Sequence, residues 1–180
     1  MESSEQTLAA HACRGDRSAV RAVYDRYAPL LAAVCARYIN DTDDAKDVLQ
    51  ESFIRIFGSM SSFVYRGEGS LRAWMTRIVV NESLKFLRKS DSLVFLTADG
   101  ELPETADEPE PDVGDIPPDR IFQLIRQLPP GFRTVFNLYV FEHKTHAEIA
   151  SALGISESTS ASQLHRAKKY LANAINRLRQ

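Results

Sequence analysis

The chain has 180 residues, 44% of them apolar, which is enough for one ordinary domain or two small ones. No apolar run approaches the roughly 20 residues needed to span a bilayer, and the opening MESSEQTLAA lacks the basic-then-apolar order of a secretory signal, so a cytoplasmic protein without membrane insertion is expected. The net charge of −2 hides a partition: residues 1–90 carry 13 basic and 11 acidic side chains, 91–120 carry 1 and 10, and 121–180 carry 8 and 3, and basic ends around an acidic middle can mark polyanion binding.

In chain order, Gly15 is expected to end a first short helix and Asp16 to cap a second, over about 16–39, which Pro29 should kink or split. A third helix begins near Asp41–Asp44, acids that suit a helix start. Its core stripe is Ala45, Val48, Leu49, Ser52, Phe53, Ile56 and Phe57. SSFVYRGEGS reads as a loop, and Ser70 as the cap of a helix over 71–89. That helix is apolar over a broad arc (Leu71, Trp74, Met75, Ile78, Val79, Leu84, Phe86, Leu87). Residues 90–119 hold five of the eight prolines and few apolar residues beyond Phe95, so they read as a linker between two helical domains, 1–90 and 118–180, with the linker itself over 91–117. Beyond it, Pro117–Pro118 and Pro129–Pro130 precede helix starts, and Phe132, Val135, Phe136, Tyr139 and Val140 form the stripe of the second of these helices. Strand-like alternation is absent. The fold class is therefore all-α. Cys13 and Cys35 lack metal-ligand spacing and read as buried thiols, and no cofactor or metal is implied.

Residues 145–178 carry a more specific pattern. Thr145 and Glu148 match a capping box, Gly154 supplies a turn that needs a left-handed backbone, Ile155 can plug the angle, and Ser156 caps a second helix. Ser160, Leu164, Ala167, Leu171 and Ile175 or Leu178 form its inner face, leaving Ser158, Thr159, Ala161, Ser162, His165 and Arg166 outward, with Lys168 and Lys169 behind. This is a helix-turn-helix, whose second helix enters the DNA major groove, where small side chains allow close approach and basic ones meet phosphate. The competing reading is a plain helical hairpin with a solvated basic face.

EIASALGISESTSASQLHRAKKYL resembles the second conserved region of bacterial sigma factors of the extracytoplasmic-function group, and DAKDVLQESFIRIF with GSLRAWMTRIVVNESLKFLRK resembles the first. The resemblance spans nearly all of both helical domains. It implies a protein without enzymatic activity that binds core RNA polymerase, directs it to promoter DNA, and is held inactive in many relatives by an anti-sigma factor. Asp47, Gln50, Glu51 and Ile54 share one face of the third helix, with Asp43 and Asp44 at its start. From charge alone this is a solvated acidic face; the resemblance makes it the polymerase contact. Arg77, Asn81, Lys85 and Arg88 form a basic strip on the fourth helix that can track a nucleic-acid backbone. The preceding loop offers Phe63, Tyr65 and Arg66, and aromatic faces can hold unstacked bases. The resemblance assigns loop and helix to the minus-ten element and its melting; Trp74 itself reads as core rather than as a base platform. It assigns Ser158, Thr159, Ala161, Ser162, Gln163, His165, Arg166 and Lys169 to the minus-thirty-five element. The linker is either a tether or a carboxylate strand that occupies the polymerase's nucleic-acid channel. This chain departs from the family at Ser160, where valine is common, and at Ala161 and Gln163, where basic residues are common, so its groove face is less charged. Leu71 replaces a common phenylalanine. The alternatives are a stand-alone helix-turn-helix regulator, for which no dimerisation helix is evident, a protein-only adaptor, and an enzyme, for which His11, His143, His146 and His165 show no nucleophile pairing and no phosphate-binding glycine loop appears.

Overall fold

The computed structural model describes residues 4–90 and 116–178. Their regular structure is helical throughout: α1 (Glu5–Cys13), α2 (Arg17–Tyr38), α3 (Thr42–Gly58), a 3-10 turn (Met60–Ser62), α4 (Ser70–Lys89), α5 (Pro118–Gln127), α6 (Pro130–Val140), α7 (His146–Leu153) and α8 (Glu157–Leu178). The chain divides into two compact units, Met1–Phe86 and Leu87–Gln180, with the division in the last turn of α4. Apart from 116–117, the expected linker lies outside the described residues.

In the first unit the helix starts are set locally. Asp16 accepts from the Ser18 hydroxyl (2.6 Å) and from the amides of Ser18 (2.8 Å) and Ala19 (3.3 Å). These bonds, the Ser18 hydroxyl foremost, hold its carboxyl at about 2, below the 3.8 of a free aspartate. Asp41 caps α3 in the same way through the amides of Asp43 and Asp44. Pro29 does not split α2, which runs unbroken through it. An interior proline costs about 3 kcal/mol. Tyr27, Leu31 and Val34, buried on either side of it, each gain roughly 1.5–3 kcal/mol by burial, which outweighs the lost bond. Cys35 is buried, its thiol directed at the Ala45 carbonyl (3.4 Å), and burial pushes its pKa up. Cys13 is only half-buried. In α4, Leu71, Met75, Val79, Leu84 and Leu87 are buried, while Trp74, Ile78 and Phe86 are half-buried. Ser83 joins this core because its hydroxyl is satisfied by the Val79 carbonyl (2.8 Å).

In the second unit α8 packs against α5, α6 and α7, around Leu124, Ile125, Leu128, Ala167, Leu171 and Ile175. Ile175 therefore takes the inner position and Leu178 is exposed. α6 departs from its expected stripe: Val135 is buried, but so are Arg133, Thr134, Asn137 and Leu138, while Tyr139 and Val140 are exposed. The reason is that α6 packs on α7 and α8 together, so its covered arc is wider than one stripe. Arg133 is only 3% exposed. Its Nη1 donates to the carbonyls of Arg126 (2.9 Å) and Leu128 (3.5 Å), closing the end of α5, where helix carbonyls lack intrahelical partners. Burial lowers its pKa, with Arg126 adding to the effect. Arg133→Ala is expected to cost about 2–3 kcal/mol of unfolding free energy by orphaning those carbonyls, and Arg133→Lys to recover only part of it because an ammonium lacks the planar fork. Urea unfolding checks this; a loss indistinguishable from a surface substitution would remove Arg133 from this role.

Candidate polymerase and nucleic-acid interfaces

On α3, the buried Val48, Phe53 and Ile56 turn Asp43, Asp44, Asp47, Gln50, Glu51 and Ile54 outward, and all six are exposed. Ile54, at 60% exposure, is an apolar side chain inside an acidic field. Asp43 pairs with Lys46 (2.9 Å) and Glu51 with Arg55 (3.8 Å). Arg55 also reaches Glu82 of α4 at 2.8 Å, and Glu82 in turn lies 3.6 Å from Lys85. This chain of charges joins the acidic face of α3 to the basic strip of α4, a link that sequence spacing does not reveal. Arg77, Asn81, Lys85 and Arg88 are all exposed on α4.

The loop between the 3-10 turn and α4 is built by short-range bonds. The Phe63 amide donates to the Met60 carbonyl (3.1 Å), and Gly67 and Gly69 adopt φ of 113° and 84°. Ser70 does not serve as the expected cap ahead of the helix. It is the first residue of α4, and its hydroxyl accepts from the Arg66 amide (3.2 Å). Phe63 and Tyr65 are half-buried and Arg66 is exposed. The Phe63 ring lies 5.2 Å from that of the half-buried Trp74, so this pair of rings fixes one side of the loop and Trp74 is not wholly core.

In the second unit the capping box forms: the Glu148 carboxylate accepts from the Thr145 amide (2.9 Å) and Thr145 Oγ1 accepts from the Glu148 amide (3.3 Å). The Thr145 amide, and after it the Thr145 hydroxyl (3.1 Å), both donate to the Glu148 carboxylate and hold its pKa below the usual range. Gly154 adopts φ 70° at the end of α7, and Ser156 Oγ accepts from the Thr159 amide (3.0 Å) to start α8. The Ser158 and Thr159 hydroxyls both lie 2.8 Å from Ser156 Oγ, a polar cluster at the helix start. Ser158 and Lys169 are exposed, and Thr159, Ala161, His165 and Arg166 are half-buried. Two expected groove residues are not presented: Gln163 is 1% and Ser162 7% exposed. Gln163 sits one residue from the Leu164 inner line and is carried inward by the packing of α6 and α7 on α8. Ser162 is short, with the longer His165 and Arg166 one turn further along. Ser160 is fully buried, and its hydroxyl meets His146 Nδ1 at 2.9 Å. A hydroxyl on an apolar line needs such a partner, and that was the one signal in the sequence pointing to His146.

Residues 23–92 match the family model for Sigma-70 region 2, and residues 119–171 the model for Sigma-70, region 4. The ECF RNA polymerase sigma-E factor of Haemophilus influenzae is 30% identical over 97% of both chains. The chain belongs to the extracytoplasmic-function RNA polymerase sigma factors. This sigma factor is also 27% identical to the RNA polymerase sigma-H factor of Pseudomonas aeruginosa, over 98% of this chain and 96% of that one. Its fold is shared with CnrH in the structure of CnrH in complex with the cytosolic domain of CnrY, at 23% identity and a TM-score of 0.50, covering 96% and 97% of the two chains. The sigma factor thus acts with core RNA polymerase and directs promoter-specific transcription initiation, and a stand-alone regulator is disfavoured by the region 2 match. Among its described residues, no helix is long and apolar enough to cross a membrane.

Proposed function

We propose that this sigma factor divides its work by unit. The acidic face of α3 (Asp43, Asp44, Asp47, Gln50, Glu51, Ile54) docks on core polymerase. The loop residues Phe63, Tyr65 and Arg66, with Arg77, Asn81, Lys85 and Arg88, accept and open the minus-ten element. α8 reads the minus-thirty-five element through Ser158, Thr159, Ala161, His165, Arg166 and Lys169. On this reading domain 1–90 opens DNA, 91–117 tethers, and 118–180 anchors upstream. The protein works in the cytoplasm and has no catalytic activity of its own. The observation that supports the division best is the segregation along the two helices: of the six outward residues on α3, four are acidic and flank Gln50 and Ile54, while the outward strip of α4 carries Arg77, Lys85 and Arg88. An acidic patch suits a basic protein surface and a basic strip suits phosphate.

CnrH is seen with the cytosolic domain of CnrY. By analogy, an inhibitory protein partner holds this sigma factor until it is needed. The test is transcription by core polymerase on a genomic fragment library, with and without the purified protein. Discrete start sites that require both components, and that fade when Arg166 or Phe63 is replaced by alanine, are expected. Start sites unaffected by both replacements would overturn the division of labour.

A further inference from the structure

α1 lies ahead of residue 23, where the region 2 match begins, and none of the roles above uses it. Its first residue, Glu5, is an acid at a helix start, where solvent exposure is usual. Instead Glu5 is 5% exposed. Each of its oxygens has its own partner. Oε2 accepts from the Tyr27 hydroxyl of α2 (2.9 Å). Oε1 accepts from the backbone amide of Leu71 in the first turn of α4 (3.1 Å). Burial, then the bond to Glu5 and its charge, push the Tyr27 phenol up to about 12, so it stays a donor at any physiological pH. At the opposite end of α1, the Cys13 thiol donates to the Met60 carbonyl in the 3-10 turn (3.1 Å), and α1 packs directly on that turn.

Met60 and Leu71 are the two ends of the segment that carries Phe63, Tyr65 and Arg66. One helix of nine residues therefore holds both ends of that loop. The loop's own bonds are few and local, and its two left-handed glycines give it alternatives. A loop that is competent for only part of the time loses affinity in proportion to that fraction. We propose that α1 is a brace that holds the loop in its base-accepting conformation, with Glu5 as the positioning residue and Cys13 as the second point of attachment. This rests on the reading of the loop as the minus-ten site. Glu5 suits the task because a carboxylate offers one oxygen to each of two donors at once, and charge-assisted bonds are the stronger class. Removing it leaves the Leu71 amide, at a buried helix start, without its acceptor.

The experiment uses holoenzyme assembled from core polymerase and the full-length wild-type, Glu5→Ala, Glu5→Gln, Cys13→Ala or Phe63→Ala protein. Three quantities are read: affinity for core, affinity of the holoenzyme for a single-stranded non-template minus-ten oligonucleotide, and permanganate reactivity of the melted bases against the upstream footprint. Glu5→Ala is expected to lower single-strand affinity and melting about tenfold, the scale of one lost charge-assisted bond, with core affinity and upstream footprint unchanged. Glu5→Gln should recover part of the loss, because its carbonyl can accept from Leu71 while its amide donates to the Tyr27 oxygen, but without the charge assistance. Cys13→Ala should give a smaller loss with the same signature. Wild-type single-strand affinity for Glu5→Ala, or a loss matched by an equal loss of core binding, overturns the brace. Should Glu5→Ala not fold, wild-type behaviour of Cys13→Ala overturns it instead. If Phe63→Ala is also silent, the minus-ten reading of the loop fails first; if Phe63→Ala is impaired and the α1 variants are not, only the brace fails.

Discussion

Asp47→Lys together with Glu51→Lys is expected to weaken binding to core polymerase about a hundredfold or more, because like charges placed across an interface cost several kcal/mol, while leaving the helical content unchanged. Both side chains are exposed on α3, so their replacement removes no core contact. Among the described residues, the one ion pair broken is Glu51 with Arg55, at 3.8 Å between half-exposed groups. Such surface pairs contribute roughly 0–1 kcal/mol, and Arg55 keeps its closer partner Glu82. Circular dichroism and thermal melting should therefore match wild type. Co-purification with core at the wild-type level would remove α3 from the polymerase interface.

The second large effect concerns α8. Arg166→Ala is expected to weaken the upstream element by about 1–3 kcal/mol at promoters carrying the base it contacts, and little elsewhere. A loss spread evenly over all promoters, with the salt slope reduced by about 1, would instead place Arg166 on phosphate. Gln163 supplies the contrast. It is almost fully buried and its Oε1 has no hydrogen-bond partner, so Gln163→Met should leave promoter choice untouched and be near neutral for stability, since removing an unsatisfied buried polar group carries little penalty. Footprinting on a panel of promoter variants reads both. Altered promoter choice for Gln163→Met, with Arg166→Ala silent, would invert the assignment of faces.

What the sequence revealed was mostly local. Asp16, Asp41, the Thr145–Glu148 box and Gly154 act within three or four residues of themselves, and each appears in the structure where the spacing puts it. The outward acidic face of α3 was legible too, since 3.6-residue periodicity separates it from Val48, Phe53 and Ile56. Glu5 was not legible. As a first-turn acid it resembles any residue that favours a helix start, and its partners are 22 and 66 positions away. Arg133 reads as an ordinary helix cation because its acceptors are backbone carbonyls, which have no sequence signature. A single inner line on α8 would leave Gln163 outward, but α6 and α7 together cover a wider arc that takes it in. At Pro29 helix propensity counts the broken bond and not the side chains buried on either side of it, so a break there does not follow.

The contact between His146 and Ser160 bears on which positions of this helix pair can change independently. In this chain a hydrogen bond joins α7 to α8 where the two helices pack. Replacing Ser160 with valine would leave the imidazole facing a hydrocarbon, and a change at His146 alone would strand a buried hydroxyl. Either single change is destabilising, so the two positions act as one, and the outward residues of α8 can be exchanged without touching the polar contact beneath them.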